Sequence, residues 1–362
     1  MKRIYFTVTN DLTYDQRMHR ICGSLTRSGL SVVLVGRQLP TSLPLSQQPY
    51  TQKRLRCFFN KGFAFYAEYN LRLFIYLLTQ NLDGICAIDL DTILPVLFIS
   101  KIKGKTRIYD AHEYFTELKE VRTRPIVKKV WTVVEKFSVP KFEHGYTVSE
   151  GLRQQFKNKY RRDYLLIRNL PVLKTMNTET EREKFLVYQG AVNEARGFEY
   201  LIPAMRFIPY PLVVCGDGNF MPQLKELIRK NSVVEKVELK GMMLPEDLRL
   251  VAQKACLGIA LAEKEGINQF HALPNKFLEF MHAGLPQVAM NFPEYKRINE
   301  RFQIAVLLDE LNVDAIIDTI NKTMEDQALL QQMHNNAMTA REIYCWQAEE
   351  KLLIQFYKTL FP

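Results

Sequence analysis

The sequence predicts an α/β protein made of two doubly wound domains. Short apolar strands alternate with helical segments through most of the 362 residues, and one polar segment separates two such series. A chain of this length suits two domains of ordinary size. Hydrophobic residues make up 47% of the chain and charged residues 24%, as in globular proteins with large cores. Because the strands are apolar, we expect parallel sheets covered by helices on both faces.

The first series of strands defines an N-terminal domain at residues 1–171. The segments between its strands have helical spacing, as at Met18, Ile21 and Leu25. The strands are predicted at RIYFTV (3–8), SVVLVG (31–36), RLRCFF (54–59), GICAID (84–89), TRIYDA (106–111) and GYTVS (145–149).

The second series defines a C-terminal domain at residues 185–342, after a polar linker predicted at 172–184. Helical residues at 343–362 are expected to return to the first domain and complete it. In doubly wound domains ligands bind at the carboxyl ends of the strands, so a cleft between the domains is the expected active site. The strands are predicted at FLVYQGA (185–191), PLVVCGDG (211–218), KVELKG (236–241), LGIALA (257–262), PQVAM (286–290) and IAVLL (304–308).

Charge and cysteine usage narrow the class of protein. The chain has 49 Lys and Arg against 39 Asp and Glu, a formal net charge of +10, which favours an anionic partner such as a nucleotide, a membrane surface or a nucleic acid. Its 6 cysteines are scattered without a metal or redox spacing, so we expect reduced thiols. With neither a signal segment nor an apolar run of about 18 residues, the chain is expected to be cytoplasmic.

The segment HALPNKFLEFMHAGLP (271–286) carries the strongest functional pattern. Pro274 and Asn275 open an amphipathic helix on which Lys276 and Glu279, three residues apart, share a face. The N–H groups and positive dipole of a helix start suit a phosphate. A lysine in that first turn adds charge that a structural helix start normally avoids. A phosphate at the tip with a ribose beside the carboxylate is one interpretation; a solvated stripe on an ordinary surface helix is the other.

A second pattern follows the first strand of the C-terminal domain, in YQGAVNEARGFEYL (188–201). Gly190 allows close approach of a ligand to the backbone. Arg196 precedes the next helix, where a guanidinium can grip a diphosphate. The structural alternative is a surface arginine at a helix start. The glycine turn CGDGNF (215–220) is a weak signal by itself.

Taken together, these motifs resemble those of retaining GT-B glycosyltransferases, and more narrowly family 4 enzymes of bacterial surface-polysaccharide pathways. YQGAVNEARGFEYLIPAM, VVCGDGNF, VELKGMM and HALPNKFLEFMHAGLPQVAMN occur in the family's order and approximate spacing. In the first half, TNDLTYDQRMHRICGSLTRSGLSVVLVG, YDAHEYFTE (109–117) and YTVSEGL (146–152) resemble its opening unit and later strand ends. The resemblance implies two Rossmann-like domains facing a cleft, the first for the acceptor and the second for the nucleotide sugar.

The resemblance also implies a role for each matching residue. Arg196 and Lys276 would neutralise the donor diphosphate, Glu279 would hold the ribose hydroxyls, and His112 would reach the donor sugar. A histidine satisfied at a strand end is the structural alternative for His112. The resemblance implies further donor-binding positions. Gly241 and Met242 would lie against the base, Leu273, Pro274 and Asn275 would lie near the phosphate and the transferred sugar, and Gly190 would let the backbone approach the donor.

Two positions depart from the family pattern. His271 stands eight residues before Glu279, where the family often has a second carboxylate, and this bears on how the transferred sugar is held. The first strand ends in Thr-Asn-Asp without the family's glycine-rich loop. Asp11, Asp15 and Arg17 are therefore expected to take over that loop's acceptor-side role.

The activity implied by the resemblance is transfer of a sugar from a UDP- or GDP-sugar to a glycan or polyprenyl-linked acceptor, with retention and without a metal or other cofactor. A GT-B sugar-nucleotide epimerase and a catalytically silent scaffold are alternatives with the same fold. A basic nucleic-acid-binding protein is the alternative from another class, but no nucleic-acid-binding motif accompanies the charge, so no nucleic-acid partner is expected.

Two basic, aromatic helical segments point to a membrane surface as a further partner. IVKKVWTVVEKFSV (126–139) sets Lys128, Lys129 and Lys136 among apolar residues, and residues 53–78 are richer still in aromatics and cations. Such helices lie in anionic membrane interfaces, here the inner face of the cell membrane. The alternative is that both segments simply pack on the sheet of the first domain.

Overall fold

The computed structural model describes residues 1–13, 15–176, 181–264 and 266–362, and these form two parallel sheets. The predicted α/β architecture is confirmed. The strands are β1 (Arg3–Thr7), β2 (Ser31–Gln38), β3 (Thr51–Arg56), β4 (Gly84–Ile88), β5 (Thr106–Ala111), β6 (His144–Thr147), β7 (Leu165–Leu166), β8 (Glu183–Gln189), β9 (Leu212–Cys215), β10 (Val237–Gly241), β11 (Ala255–Ala260), β12 (Gln287–Met290) and β13 (Ala305–Leu308).

Helices connect most successive strands, as expected for right-handed parallel crossovers. They are α1 (Gln16–Arg27), α2 (Gly62–Thr79), α3 (Ile93–Lys103), α4 (Lys119–Arg122), α5 (Pro125–Ser138), α6 (Glu150–Tyr160), α7 (Phe198–Ala204), α8 (Met221–Lys230), α9 (Pro245–Lys254), α10 (Gly266–Phe270), α11 (Asn275–His282), α12 (Pro293–Phe302), α13 (Val313–Glu325), α14 (Gln327–Ile343) and α15 (Trp346–Leu360).

The chain divides into two compact units. The first contains Met1–Asn169, Gly266–Asn268 and Ala348–Pro362, and the second contains Leu170–Glu265 and Gln269–Gln347. The predicted linker at 172–184 falls partly on residues 177–180, which lie outside the described part of the chain.

In the first unit, a seven-stranded sheet runs in the order β3-β2-β1-β4-β5-β6-β7. Adjacent side chains of β1 lie on opposite faces of the sheet, because side chains alternate along a strand. Tyr5 packs in the cluster formed with α2 and α3, whereas the ring of Phe6 lies 5.8 Å from that of Tyr357 on α15. The strands are therefore apolar on both sides, which is the pattern that predicted them.

The last helix packs within the first unit, which includes Ala348–Pro362. Tyr357 is fully buried and its ring lies 6.4 Å from that of Tyr146 on β6. Glu350 on the same helix accepts a hydrogen bond from Arg27 of α1 at 3.0 Å. The C-terminal segment thus covers the sheet face on which α1 also packs.

In the second unit, a six-stranded sheet runs in the order β10-β9-β8-β11-β12-β13. The chain moves outward from β8 to β9 and β10, then returns to β11 on the other side of β8. A crevice opens at the carboxyl ends of the strands where such an order reverses. In this unit the reversal places it beside β8.

Gly216 holds the turns after β8 and β9 together. It has a φ of +150°, and a Cβ at this position would lie 1.9 Å from the carbonyl oxygen of Gly190. The amide of Gly190 in turn donates to the carbonyl of Cys215 at 2.9 Å. Only a residue without a side chain permits this approach of the two backbones.

The twelve predicted strands are all present, with two differences of detail. β3 lies three residues earlier than predicted, because Phe58 and Phe59 leave the strand and their amides donate to Glu68 on α2. β7 was not predicted; its two residues are too few to produce a periodic pattern.

Replacing Gly216 with Ala should destabilise the protein by about 2 to 4 kcal/mol, because a backbone clash adds to the conformational strain. Urea denaturation would measure the loss. Gly29→Ala is the matched control: Gly29 has a φ of +96° but open space around its Cβ position. It should cost about 1 kcal/mol. Equal losses for the two variants would contradict the close approach at Gly216.

Candidate functional site

Helix α11 is fixed over the end of β8 by its apolar face. Phe277, Phe280 and Met281 are fully buried in the core of the second unit. The helix begins after Pro274, and no side-chain hydrogen bond caps its N-terminus. The positive end of its dipole therefore favours an anion at this position.

Lys276 lies in the first turn of this helix and meets the aromatic face of Tyr188 on β8. Its Nζ is 3.7 Å from the ring centroid, within the range of a cation–π contact. Nζ is buried and has no hydrogen-bond partner among the described residues. Burial, reinforced by the nearby charge of Arg196, lowers the pKa of Lys276 well below its ordinary value, although Glu279 acts in the opposite direction. The described surroundings of Nζ thus compensate a positive charge only in part.

Arg196 and Glu279 complete a charged group around the end of β8. Arg196 is half-buried at the end of the loop after β8 and lies close enough to influence Lys276 electrostatically. Glu279 is exposed on α11, and its Oε2 accepts a hydrogen bond from Gln189, the last residue of β8. Two cations and one carboxylate therefore surround one strand end, with a helix N-terminus above it.

The loop after β8 leaves space next to these side chains. Gly190 has a φ of +112°, and a Cβ there would meet nothing within 4 Å. The hydroxyl of Tyr188 donates to the carbonyl of Ala191 at 2.7 Å, which fixes the start of the loop. A ligand can therefore approach the backbone at Gly190 directly.

His271 is held between aromatic and charged neighbours. Its ring lies 5.1 Å from that of Phe270, and its buried Nδ1 has no hydrogen-bond partner among the described residues. Burial lowers the pKa of His271, the nearby Glu294 opposes this, and Arg297 adds to it. Glu294 is itself buried and accepts a hydrogen bond from Arg297 at 2.9 Å. The expected carboxylate position is thus occupied by a neutral imidazole with one unused polar atom.

The other predicted donor positions lie at different distances from this group. Leu273 is buried at the start of α11, while Pro274 and Asn275 lie at its surface. Gly241 ends β10 and Met242 follows it, two strands from β8 and therefore about 10 Å away across the sheet. Met242 is 78% exposed, an unusual position for a large apolar side chain in a loop.

His112 belongs to the first unit, where it forms a buried cluster with two charged residues. Arg17 donates to Asp110 at 2.9 Å, and both side chains are almost completely buried. His112 Nε2 lies 2.9 Å from the second oxygen of Asp110 and 2.6 Å from Arg17 Nε. The amides of His112 and Glu113 donate to the carboxylate of Asp89, which fixes the backbone at this strand end.

The two contacts of His112 Nε2 require different protonation states. As a neutral acceptor, Nε2 bonds to Arg17 and leaves one oxygen of Asp110 without a donor among the described residues. Once protonated, it can donate to that oxygen. Burial lowers the pKa of His112 and Arg17 adds to this effect, but the carboxylates of Asp110 and Asp89 together raise it, and the net shift is upward. Burial likewise favours neutral Asp110, yet Arg17 and His112 hold its pKa below the ordinary value.

The residues expected to replace the glycine-rich loop have local structural contacts. Asp15 caps α1 by accepting from the amide of Met18 at 2.9 Å. Asp11 accepts from the amide of Thr13 at 3.1 Å. Arg17 is buried against Asp110, so its guanidinium is engaged inside the first unit.

Within the described ranges, no group of three or more His, Cys, Asp or Glu side chains could hold a metal ion. Asp89 and Asp91 have a spacing of two residues, but Asp89 receives two backbone amides and Asp91 accepts from Thr9 at 2.5 Å.

Comparison with known families covers the second unit. Residues 173–340 match the family model described as Glycosyl transferases group 1. A 183-residue segment is 26% identical to an uncharacterized glycosyltransferase of Methanocaldococcus jannaschii, covering 49% of this chain and 45% of that protein. The chain therefore spans less than half the length of that curated relative. The family match, which includes the charged group around β8, supports a glycosyltransferase.

Solved structures match the whole chain at low identity. Sucrose-phosphate synthase from Thermosynechococcus elongatus aligns with a TM-score of 0.81 and 13% identity over 100% of this chain and 99% of that one. HepE of Anabaena, solved with UDP and glucose, gives 0.77 and 13% over 99% and 100%. WaaG, a glycosyltransferase involved in lipopolysaccharide biosynthesis, gives 0.74 and 14% over 98% and 99%. These alignments show that the fold is of the GT-B type.

Several partners of the predicted residues were missed from the sequence. Tyr188 and Gln189 directly precede Gly190, but a strand pattern alone does not show which of its residues meets a helix. Arg17 and Asp110 were also missed as partners of His112, from which Arg17 is 95 positions away. The available signal was an arginine in a helix with an apolar face. A charge buried on such a face is rarely left unpaired, so a partner could have been expected.

Replacing Lys276 with Met should raise the free energy of unfolding by about 1 kcal/mol or more at neutral pH, because a buried cation without a hydrogen-bond partner is removed. The difference in stability between the variant and the wild type should shrink as pH rises between the two pKa values of Lys276, the lowered one of the folded state and the ordinary one of the unfolded state. In that range the folded wild-type protein loses the charge of Lys276. Urea titrations across this pH range would measure both effects. Lys254→Met, at an exposed site, should change stability little. A clear destabilisation by Lys276→Met would contradict the uncompensated charge.

Replacing Asp110 with Asn should cost about 3 to 5 kcal/mol of stability, because it leaves Arg17 buried and unpaired. The pKa of His112 should fall at the same time, which a histidine NMR titration would detect. The pKa of Asp110 is lower in the folded state than in the unfolded state. Its stabilisation of the folded protein is therefore fully present above the unfolded-state pKa and is lost as pH falls through the folded-state pKa. The exposed Asp163→Asn is the matched control, expected to cost at most about 1 kcal/mol. Similar losses for both variants would contradict the role of the buried pair.

Proposed function

We propose that this protein is a retaining, metal-independent glycosyltransferase that uses a nucleotide-diphosphate sugar as donor. The acceptor is a glycan or a polyprenyl-linked glycan of surface polysaccharide or lipopolysaccharide synthesis. The observation that carries the proposal is the uncompensated Lys276, buried beside Arg196 at the N-terminus of α11. A protein keeps such a cation where a bound anion completes its environment.

The anion that fits this group is a diphosphate. Lys276 and Arg196 supply two positive charges, and the N-terminus of α11 supplies the positive end of the helix dipole. Negative charge grows on the diphosphate as its bond to the sugar breaks, and cations fixed in advance stabilise that charge. These groups would provide the neutralisation that a divalent ion provides in other transferases.

The remaining donor contacts follow from the positions of the other residues. Glu279, oriented by Gln189, would accept hydrogen bonds from the ribose hydroxyls. The loop at Gly241 and Met242 would lie against the base, about 10 Å from the phosphates across the sheet. An exposed methionine next to a glycine with room around it suits contact with a flat ring.

His112 and His271 are the proposed contacts to the transferred sugar. With its raised pKa, His112 would donate a hydrogen bond to a sugar hydroxyl while Asp110 and Arg17 hold the imidazole. His271 would offer Nδ1 in place of the family's carboxylate and so change which hydroxyl pattern is accepted. In a retaining reaction the acceptor attacks from the face that the nucleotide leaves, and the departing phosphate takes the acceptor's proton. The protein then contributes positioning and leaving-group stabilisation.

The comparisons support the chemical class of donor and acceptor. HepE was solved with UDP and glucose, and WaaG acts in lipopolysaccharide biosynthesis. These properties belong to those proteins, and they favour UDP-sugars as the first donors to test here.

A thermal-shift panel of UDP- and GDP-sugars should show selective stabilisation by one donor. Binding adds about 2.7 kcal/mol of stability at a ligand concentration one hundred times Kd. Glu279→Ala should weaken donor binding, whereas Arg196→Ala should mainly lower the turnover in a transfer assay. Activity should persist in excess EDTA. Glu226→Ala and Arg229→Ala, on the exposed surface of α8, are matched controls.

Four outcomes would count against the proposal. Absence of stabilisation by any nucleotide sugar would remove the donor site, and full transfer rates in Arg196→Ala would remove the diphosphate role. Interconversion of nucleotide sugars without transfer would identify an epimerase with the same fold. Inversion at the anomeric carbon of the product, read by NMR, would contradict retention.

A further inference from the structure

Helix α2 presents an apolar stripe to solvent as well as to the core. Phe65, Tyr69, Leu73 and Leu77 are buried against the sheet of the first unit. On the opposite side, Leu71, Ile75 and Leu78 recur at helical spacing and are exposed. A helix on the surface of a globular unit normally turns charged residues outward. Here the outward side carries none of them.

The neighbouring helices α3 and α5 continue this apolar surface. α2, α3 and α5 pack side by side on one face of the sheet. Rings of Phe98 on α3 and Phe137 on α5 lie 6.5 Å apart, and those of Tyr66 on α2 and Trp131 on α5 lie 5.2 Å apart. We call the outward side of these helices the three-helix face. Its large apolar residues are Leu71, Ile75, Leu78, Phe98, Ile102, Ile126, Val130, Val133 and Phe137.

The exposure on this face is too extensive to be incidental. Nine large apolar side chains on three adjacent helices are exposed, and Ile126 is 82% exposed. Phe58 and Phe63 add two more exposed aromatic rings at the start of α2. Isolated exposed apolar residues need no explanation, but a contiguous patch of this kind marks a binding surface.

The charges within this face are positive. Lys101, Lys129 and Lys136 are exposed among its apolar residues. The acidic residues of the three helices turn away: Glu135 is buried and bonded to Thr116 and Lys159, and Glu68 bonds to Arg72 and to backbone amides. Lys141 beyond α5 lies 3.6 Å over the ring of Phe137. The face therefore combines apolar side chains with uncompensated positive charge.

We propose that the three-helix face docks the protein on an anionic lipid bilayer. Apolar side chains enter the boundary between headgroups and acyl chains, and lysines reach the anionic headgroups with their stems along the apolar layer. Among the described residues no helix is long and apolar enough to cross a membrane, so the helices lie in the plane of the surface. The proposal concerns the first unit alone and does not depend on the donor site of the second.

Charge argues against a second copy of the chain as the occupant. In a two-fold interface each residue patch meets its own copy. Lys129 and Lys136 would then face lysines across an apolar contact, without acids to balance them. A nucleic acid is disfavoured as well, because its phosphates would cover an apolar surface that offers them few donors.

Co-sedimentation of the full chain with vesicles tests the proposal. Vesicles of phosphatidylcholine with 30% phosphatidylglycerol should bind the protein, and pure phosphatidylcholine should bind it far more weakly (roughly 100-fold, from three exposed lysines at about five-fold each). The Lys129→Ala, Lys136→Ala double variant should bind anionic vesicles about 25-fold more weakly, the share of two of these lysines. Ile126→Glu with Val133→Glu should abolish binding, because charged residues replace the inserting side chains.

Matched controls separate this surface from general effects. Lys351→Ala with Lys358→Ala removes two exposed lysines of α15, and Phe207→Glu with Val234→Glu alters exposed apolar residues of the second unit. Both double variants should bind vesicles like the wild type. Circular dichroism and melting temperature verify folding, and nucleotide-sugar thermal shifts should be the same in Ile126→Glu, Val133→Glu as in the wild type.

Three results would overturn the proposal. The first is failure of the folded wild type to bind anionic vesicles. The second is unchanged binding of the Ile126→Glu, Val133→Glu variant, which would reduce the interaction to adsorption by charge. The third is a wild-type dimer in sedimentation equilibrium that this variant converts to a monomer, which would make the face a protein interface.

Discussion

The candidate site depends on one constraint: Lys276 cannot leave the end of β8. Its helix is pinned by Phe277 and Phe280 in the core, so its first turn stays over the strand. The face of Tyr188 attracts the ammonium, which offsets part of the cost of burying it. Without a hydrogen-bond partner the charge remains only partly compensated. The packing that stabilises the second unit therefore also holds a cation ready for an anion.

The two units treat buried charge in opposite ways. In the first unit, Arg17 is matched by Asp110 and shares His112 with it, so the charge is neutralised within the protein. In the second unit, Lys276 and Arg196 reinforce each other's positive field. A matched pair fixes the position of an imidazole, whereas two neighbouring cations attract an anion. This difference is consistent with a positioning role for the first cluster and a binding role for the second.

Much of this arrangement could be predicted from local patterns. Apolar runs predicted twelve strands, and the Pro-Asn pair with Ala-Gly-Leu-Pro predicted the bounds of α11 closely, because short-range signals set where elements begin and end. The partners of Lys276 and His112 could not be predicted, since Tyr188 and Arg17 are distant in sequence and meet them only through the order of the strands. The exposed apolar stripe of α2 could not be predicted from the sequence for another reason. A helix that is apolar all round gives no sign of which side faces the core.

The three-helix face gives the charge of the chain a physical meaning that composition could not. An excess of lysine and arginine alone favours any polyanion equally. Set among exposed leucine, isoleucine and phenylalanine, the same lysines favour a surface that is anionic outside and apolar beneath. A protein held at such a surface searches two dimensions for an acceptor that is itself anchored there, and the acceptor's local concentration rises accordingly. Because the face belongs to the first unit, attachment would bring that unit into the layer where a polyprenyl-linked glycan resides.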